Sequence, residues 1–240
     1  MFARVQPESE FAKAGGEAEI AGDQWLIWQL ADSAFPTGGF AHSGGLEATW
    51  QHGELRNRAE LRSFIEASLW QFGKGSLPFM LGAYDQPAEL LRLDLLCDSF
   101  TTNHVANRAS RLQGRALLAS AERIFGGADL KQIRESASAG QPFHLSPVFG
   151  GVVRALGIGR RTVAELFFFT YMRGLTASAV RLGVIGPMEA QSLQHQCASP
   201  AVEILDHCEM LTVDDVAQTA PLLDLWQGAQ DRLYSRLFQS

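Results

Sequence analysis

The chain has 240 residues with 20 Lys+Arg against 26 Asp+Glu, a net charge of −6 that argues against bulk electrostatic binding to nucleic acid. Hydrophobic residues make up 46% and charged ones 19%, enough for a sizeable core and too apolar for a disordered chain. Three cysteines, Cys97, Cys197 and Cys208, are too few for a disulfide framework and fit a reducing compartment, so a cytoplasmic location is expected.

In chain order, residues 1–22 are rich in Ala, Gly and Glu without apolar period, and read as a flexible tail. They hold no signal-peptide pattern. Residues 23–240 read as one compact helical domain. A short helix after Trp25 stops at Pro36-Thr37-Gly38-Gly39, and another begins near Leu46, with Ser43 placed to cap it. Leu61, Phe64, Ile65, Leu69 and Phe72 form one helical stripe, which Gly73, Gly75 and Pro78 are expected to break. Helices follow over 88–100 and 104–125, the second with Val105, Ala109, Leu112, Ala116 and Ala119 on its apolar face and Gly126-Gly127 at its end. Residues 162–182 are apolar nearly all round at Phe167–Phe169, which places that helix centrally. Its run Leu166–Met172, flanked by Glu165 and Arg173, is too short for a bilayer, which takes ~20 residues, so no membrane span is expected. After Gly186-Pro187 comes a helix of about two dozen residues, and a last one starts near Pro221 with a seam of Leu222, Trp226, Ala229, Leu233 and Leu237. No strand alternation or hairpin turn shows, and the expected class is all-α.

The densest signal is the stretch from Leu30 to Glu47, where two glycine pairs bracket Phe40, Ala41, His42 and Ser43. It reads either as a shaped loop for a partner or ligand, or as a corner whose glycines let two helices cross. A nucleophile elbow would need Gly at position 41 and a strand before it; Ala41 and a helix stand there instead, so a hydrolase using Ser43 or His42 is a minor alternative. No P-loop is present: Gly73-Lys74-Gly75-Ser76 has Ser68 where the first glycine belongs. His195, Cys197, His207 and Cys208 are the one gathering of soft ligands, in no spacing of a closed site; a core cysteine beside a surface histidine is the competing reading. Arg108, Arg111 and Arg115 make a basic stripe. Arg181 ends a small-residue helix, and Arg232, Tyr234, Arg236 and Phe238 crowd the last turns with side chains common at interfaces.

The segment Gln29–Glu47 resembles the opening motif of the urease accessory protein UreF family. Asn107–Gly114, Ala177–Pro187 and Leu233–Ser240 point the same way, in the same order. The resemblance implies an all-α, dimer-forming maturation factor rather than an enzyme. Such an adaptor or chaperone binds UreD (UreH in some systems), recruits the GTPase UreG, and supports nickel insertion into apo-urease. No tightly bound cofactor is implied, since the assembled complex handles nickel. Arg181 matches a basic family position implicated in contacting or regulating UreG, and Tyr234, Arg236 and Phe238 match a tail that packs on UreD. Pro36, Gly38, Gly39, Phe40, His42 and Ser43 match the motif loop, with no one partner assigned. A direct nickel metallochaperone using His195, Cys197, His207 and Cys208 remains the alternative.

Overall fold

A computed structural model describes residues 24–240, so the tail expected over 1–22 lies outside the described residues. The described chain is helical and contains no strand. It divides at Phe35/Pro36 into a short unit and a large one. In the short unit, helix α1 (24–31) exposes Trp25 and Trp28, their rings edge to face at 5.2 Å. Asp32 stops it, its Oδ1 accepting the Ala34 N–H at 2.8 Å.

The large unit holds α2 (Leu46–Gln51), α3 (Arg58–Gly75), α4 (Leu77–Asp85), α5 (Leu90–Phe100), α6 (His104–Phe125), α7 (Ala128–Glu135), α8 (Leu145–Ala155), α9 (Arg160–Arg181), α10 (Pro187–Cys208) and α11 (Pro221–Ala229). Helix α8 sits between α4 and α6, and α9 packs on α10 and α3. The expected central helix is indeed internal. Phe167 and Phe168 are buried, and Phe72 of α3 stacks flat on Tyr171 at 4.1 Å between centroids while meeting Phe167 at 4.4 Å. Phe149 of α8 closes the aromatic group on Phe167 at 4.9 Å.

Two glycines explain why α8 fits so deeply. A Cβ on Gly150 would lie 2.1 Å from the Met80 carbonyl oxygen, and one on Gly114 would lie 2.1 Å from that of Phe143. Backbone therefore touches backbone on both sides of α8, which only glycine permits.

Three sequence expectations are corrected. Gly73 does not break α3, which runs to Gly75; the missing side chain instead admits Cys208 Sγ, 3.0 Å from where its Cβ would be. Pro78 stands in the first turn of α4, where its absent N–H costs nothing. On α6 the buried face is Val105, Ala109, Gly114, Leu117, Leu118 and Ala121; Leu112 and Ala119 turn outward because α8 seats on Gly114 and rotates the stripe. The final seam also fails: Leu222 is exposed, no residue of α11 is buried, and the helix ends at Ala229. Residues Gln230–Arg232 form a 3-10 turn and the chain is non-helical from Leu233, because Glu47 takes the amides of Leu237 and Phe238. Helices α4, α7 and α8 were not anticipated.

Candidate functional site

Loop 36–45 lies across α6 and the C-terminal half of α9. The Ser120 hydroxyl donates to the Pro36 carbonyl at 3.0 Å, and the Ser178 hydroxyl to that of His42 at 3.5 Å. Gly38, Gly44 and Gly45 all have positive φ; at Gly45 a Cβ would press on Gln227 of α11 at 3.2 Å, so glycine is required there on both counts. Ser43 does help to cap α2, accepting the Glu47 N–H at 3.4 Å, although the residue flanking the helix is Gly45.

The last residues run alongside this loop. Gln239 N–H donates to the Ala41 carbonyl at 2.8 Å, and Ser43 N–H to the Ser240 main-chain oxygen at 2.6 Å. His42 Nδ1 also meets Ser240 Oγ. Burial, helped by the nearby Arg108 charge, lowers the His42 ring to about 4, so the imidazole is neutral at pH 7. Arg181 joins loop to segment: its Nη1 donates to the Phe40 carbonyl and its guanidinium lies 4.3 Å from the Phe238 ring centre. Phe40 itself is 72% exposed at the loop apex, whereas Phe238 is 3% exposed.

Of the residues singled out in the sequence, Pro36, Gly38, Gly39, Phe40, His42, Ser43, Arg181 and Phe238 thus share one region, with Ser43 and Phe238 buried in it. Tyr234 stands fully exposed on the same segment without reaching the loop. Arg236 turns to Asp231 at 3.0 Å, where Arg108 of the basic stripe also pairs at 2.8 Å; these bonds hold the Asp231 carboxyl below the usual range, Arg108 first. Missed altogether was Glu47, buried on α2 with its carboxylate accepting four hydrogen bonds.

The soft-ligand candidates are not brought together. His195 and His207 point outward, while Cys197 and Cys208 are buried and desolvation raises both thiols above their usual range, away from the thiolate a metal takes. His207 Nδ1–H donates to the Glu203 carbonyl, 2.7 Å away, and the ring stands edge-on to Trp70. Among the described residues no three His, Cys, Asp or Glu side chains form a metal-sized group.

A second polar cluster joins α5, α6 and the start of α8. The fully buried Asp94 carboxylate accepts the N–H groups of Phe143 (2.7 Å) and His144 (2.6 Å) and the Gln141 amide (2.7 Å). His144 is buried neutral, its ring pushed below the usual histidine value by desolvation. Its Nε2 donates to Asp98 at 2.9 Å, leaving Nδ1 to accept the Ser110 hydroxyl at 3.0 Å. The order Asp–His–Ser invites comparison with a hydrolytic triad, but Ser110 Oγ also accepts the Leu145 N–H at 3.1 Å and the imidazole has no exposed edge. The cluster fixes the entry to α8, including Phe143 at φ 59°, a strained value for so bulky a residue. Beside it a shallow cavity of about 350 Å³ is lined by Arg115, Leu118, Ala119, Arg134 and Phe143; Arg134 is engaged by Glu122 through two hydrogen bonds.

Among the described residues no helix is long and apolar enough to cross a membrane. A family model described as UreF matches residues 55–198. A protein of Oryza sativa subsp. japonica named "Urease accessory protein F" is 39% identical over 219 residues, covering 89% of this chain and 84% of its own. The Arabidopsis thaliana protein of the same name is 37% identical, covering 90% and 92%. A Schizosaccharomyces pombe protein named "Uncharacterized urease accessory protein UreF-like" is 29% identical, covering 88% and 94%.

Proposed function

This chain belongs to the UreF family of urease accessory proteins, which supports a role in urease maturation, and we propose that it acts there as an adaptor rather than a catalyst. In this reading it pairs with a UreD-type (UreH-type) protein and recruits the GTPase UreG, and the assembly delivers nickel to apo-urease. The chain itself works as a dimer in the cytoplasm and carries no resident cofactor. One observation carries the reading. Arg181, Phe40 and Phe238 come from three distant blocks of sequence yet meet at a single place through the Arg181 guanidinium. The surface there combines a cation, an exposed aromatic apex and a neutral His42, with Tyr234 and Leu237 exposed on the adjoining segment. Arg and Tyr at such a site fit protein recognition. The Ser43 hydroxyl lacks a general base, since its bonds go to the Ser240 oxygen and the Glu47 N–H, which disfavours the hydrolase alternative. The outward histidines and inward thiols of α10 disfavour the direct nickel carrier.

The test is urease activation in a mixture of apo-urease, UreD, UreG, GTP, bicarbonate and nickel, with and without this chain. Activity that depends on the chain is expected. Equal activity in its absence, with every component folded, overturns the adaptor reading.

A further inference from the structure

Glu47 lies at the base of the loop on a helix of six residues, and its carboxylate faces the last segment of the chain. Oε1 accepts the Leu237 N–H at 2.6 Å and the Gln51 amide at 3.3 Å; Oε2 accepts the Phe238 N–H at 3.1 Å and the Gln230 amide at 2.6 Å. We propose that Glu47 is a positioning residue, a clasp that holds segment 230–240 against loop 36–45 so that loop and segment open and close as one unit.

The bonds form a closed circuit. Glu47 holds the amides of Leu237 and Phe238; two residues on, the Ser240 oxygen accepts the Ser43 N–H; and the Ser43 hydroxyl accepts the N–H of Glu47 itself. Breaking the carboxylate end frees the segment, and a freed segment takes the partners of Ala41, His42 and Ser43 with it. Gln51 adds a bond to the Ser235 carbonyl, and Gln230 one to that of Phe238 at 3.3 Å, so both glutamines bridge carboxylate and segment.

The chemistry matches a carboxylate closely. All four groups facing it are neutral donors, and an ionised carboxylate only accepts. Apolar burial alone cannot hold the segment: Phe238 is its one large buried apolar side chain, Leu237 is 52% exposed and Tyr234 wholly so. One ring does not offset the entropy of ordering the segment, so the charge-assisted bonds decide whether it is docked. The clasp also has a weak point, because Gln230 Oε1 is buried without a partner among the described residues.

Backbone hydrogen exchange on the intact chain tests this. In Glu47→Gln the side-chain NH₂ confronts an amide donor, and the N–H groups of Leu237, Phe238, Gln239 and Ser43 should exchange faster together, by about ten- to a hundred-fold. The amides of Val152 and Phe167 in the core should keep their wild-type rates. Gln230→Glu sets a second carboxylate against Glu47 from the segment side and should give the same pattern, which decides the matter should Glu47→Gln not fold. Unchanged rates at Leu237 and Phe238 overturn the clasp. Faster exchange there with Ser43 at its wild-type rate overturns the coupling, and a uniform rise through the core in both variants reduces Glu47 to an ordinary structural residue.

Discussion

Arg181 does two things at once: it hydrogen-bonds a loop carbonyl and lies over an aromatic ring. Lysine can keep the charge and one bond but not the planar contact, so the two substitutions separate these roles. In the reconstituted activation assay, Arg181→Ala is expected to lose about ten-fold or more, and Arg181→Lys to retain roughly half of the activity, the outcome that follows where the proposed contact depends on charge more than on the planar fork. Both variants should fold normally, since the residue is exposed. Equal activity of Arg181→Ala and wild type would remove the residue from recognition. Glycines give a sharper contrast. Gly174 lies within α9 with open space around its missing Cβ, so Gly174→Ala should stabilise the chain by ~0.5–1 kcal/mol through backbone entropy. Gly114→Ala meets the Phe143 carbonyl at 2.1 Å, and should destabilise by ~3 kcal/mol or more as α6 and α8 are forced apart. Urea unfolding of the two variants side by side measures the difference, and a shared sign would mean that the α6–α8 approach is not tight.

Among the elements, the long helices α3, α6, α9 and α10 were legible, whereas the short ones α4, α7 and α8 were not, α7 despite facing water on one side. The periodic stripe of α3 and the glycine stops of α6 and α9 follow directly from residue spacing. Helices α4 and α8 left no period to read because they are covered on nearly every side: Leu145–Ala155 buries Ser146 through Val153 without a break. A glycine pair and a proline there look like loop punctuation until the neighbouring backbones are seen at contact distance. The Gly-rich loop was legible by composition, but Glu47 was not, since its donors at Gln230, Leu237 and Phe238 lie 183 to 191 residues away. The Asp94–His144 cluster was equally hidden, and it carries a pH dependence. His144 and His42 both titrate below the usual histidine value of about 6.5, His42 at about 4, so the unfolded chain binds protons that the folded one refuses. Stability contributed by these rings is full above pH ~6.5 and declines as the pH falls from there toward ~4. NMR titration of the six histidines should find both of these titrating below an ordinary histidine, with His42 still neutral at pH ~6, and the urea midpoint falling as the pH drops below ~6.5. Two ordinary histidine titrations at these positions would contradict the buried placement.

Across the whole molecule, the loop and C-terminal segment and the helical core are held by different forces, and this makes them separable. Core stability rests on the aromatic group of α3, α8 and α9 and on the close backbone contacts of α8, none of which involves residues beyond 230. Segment 233–240 adds the burial of one phenyl ring and a set of polar bonds to loop and α2. Removing Tyr234–Ser240 should therefore leave helix content by circular dichroism nearly unchanged while lowering stability by ~2–4 kcal/mol, the sum of a lost ring and a buried carboxylate left with fewer donors. Capture by a UreD-type partner should fall at least ten-fold, because the deletion removes the exposed Tyr234 and Leu237 and frees the Phe40 loop in one step. Full capture by the shortened chain would place partner binding elsewhere on the helices. Loss of helix in step with loss of capture would mean that the segment belongs to the core after all. Folding intact with binding lost is the result expected if a rigid bundle presents a recognition element assembled from the two distant stretches around residues 40 and 237.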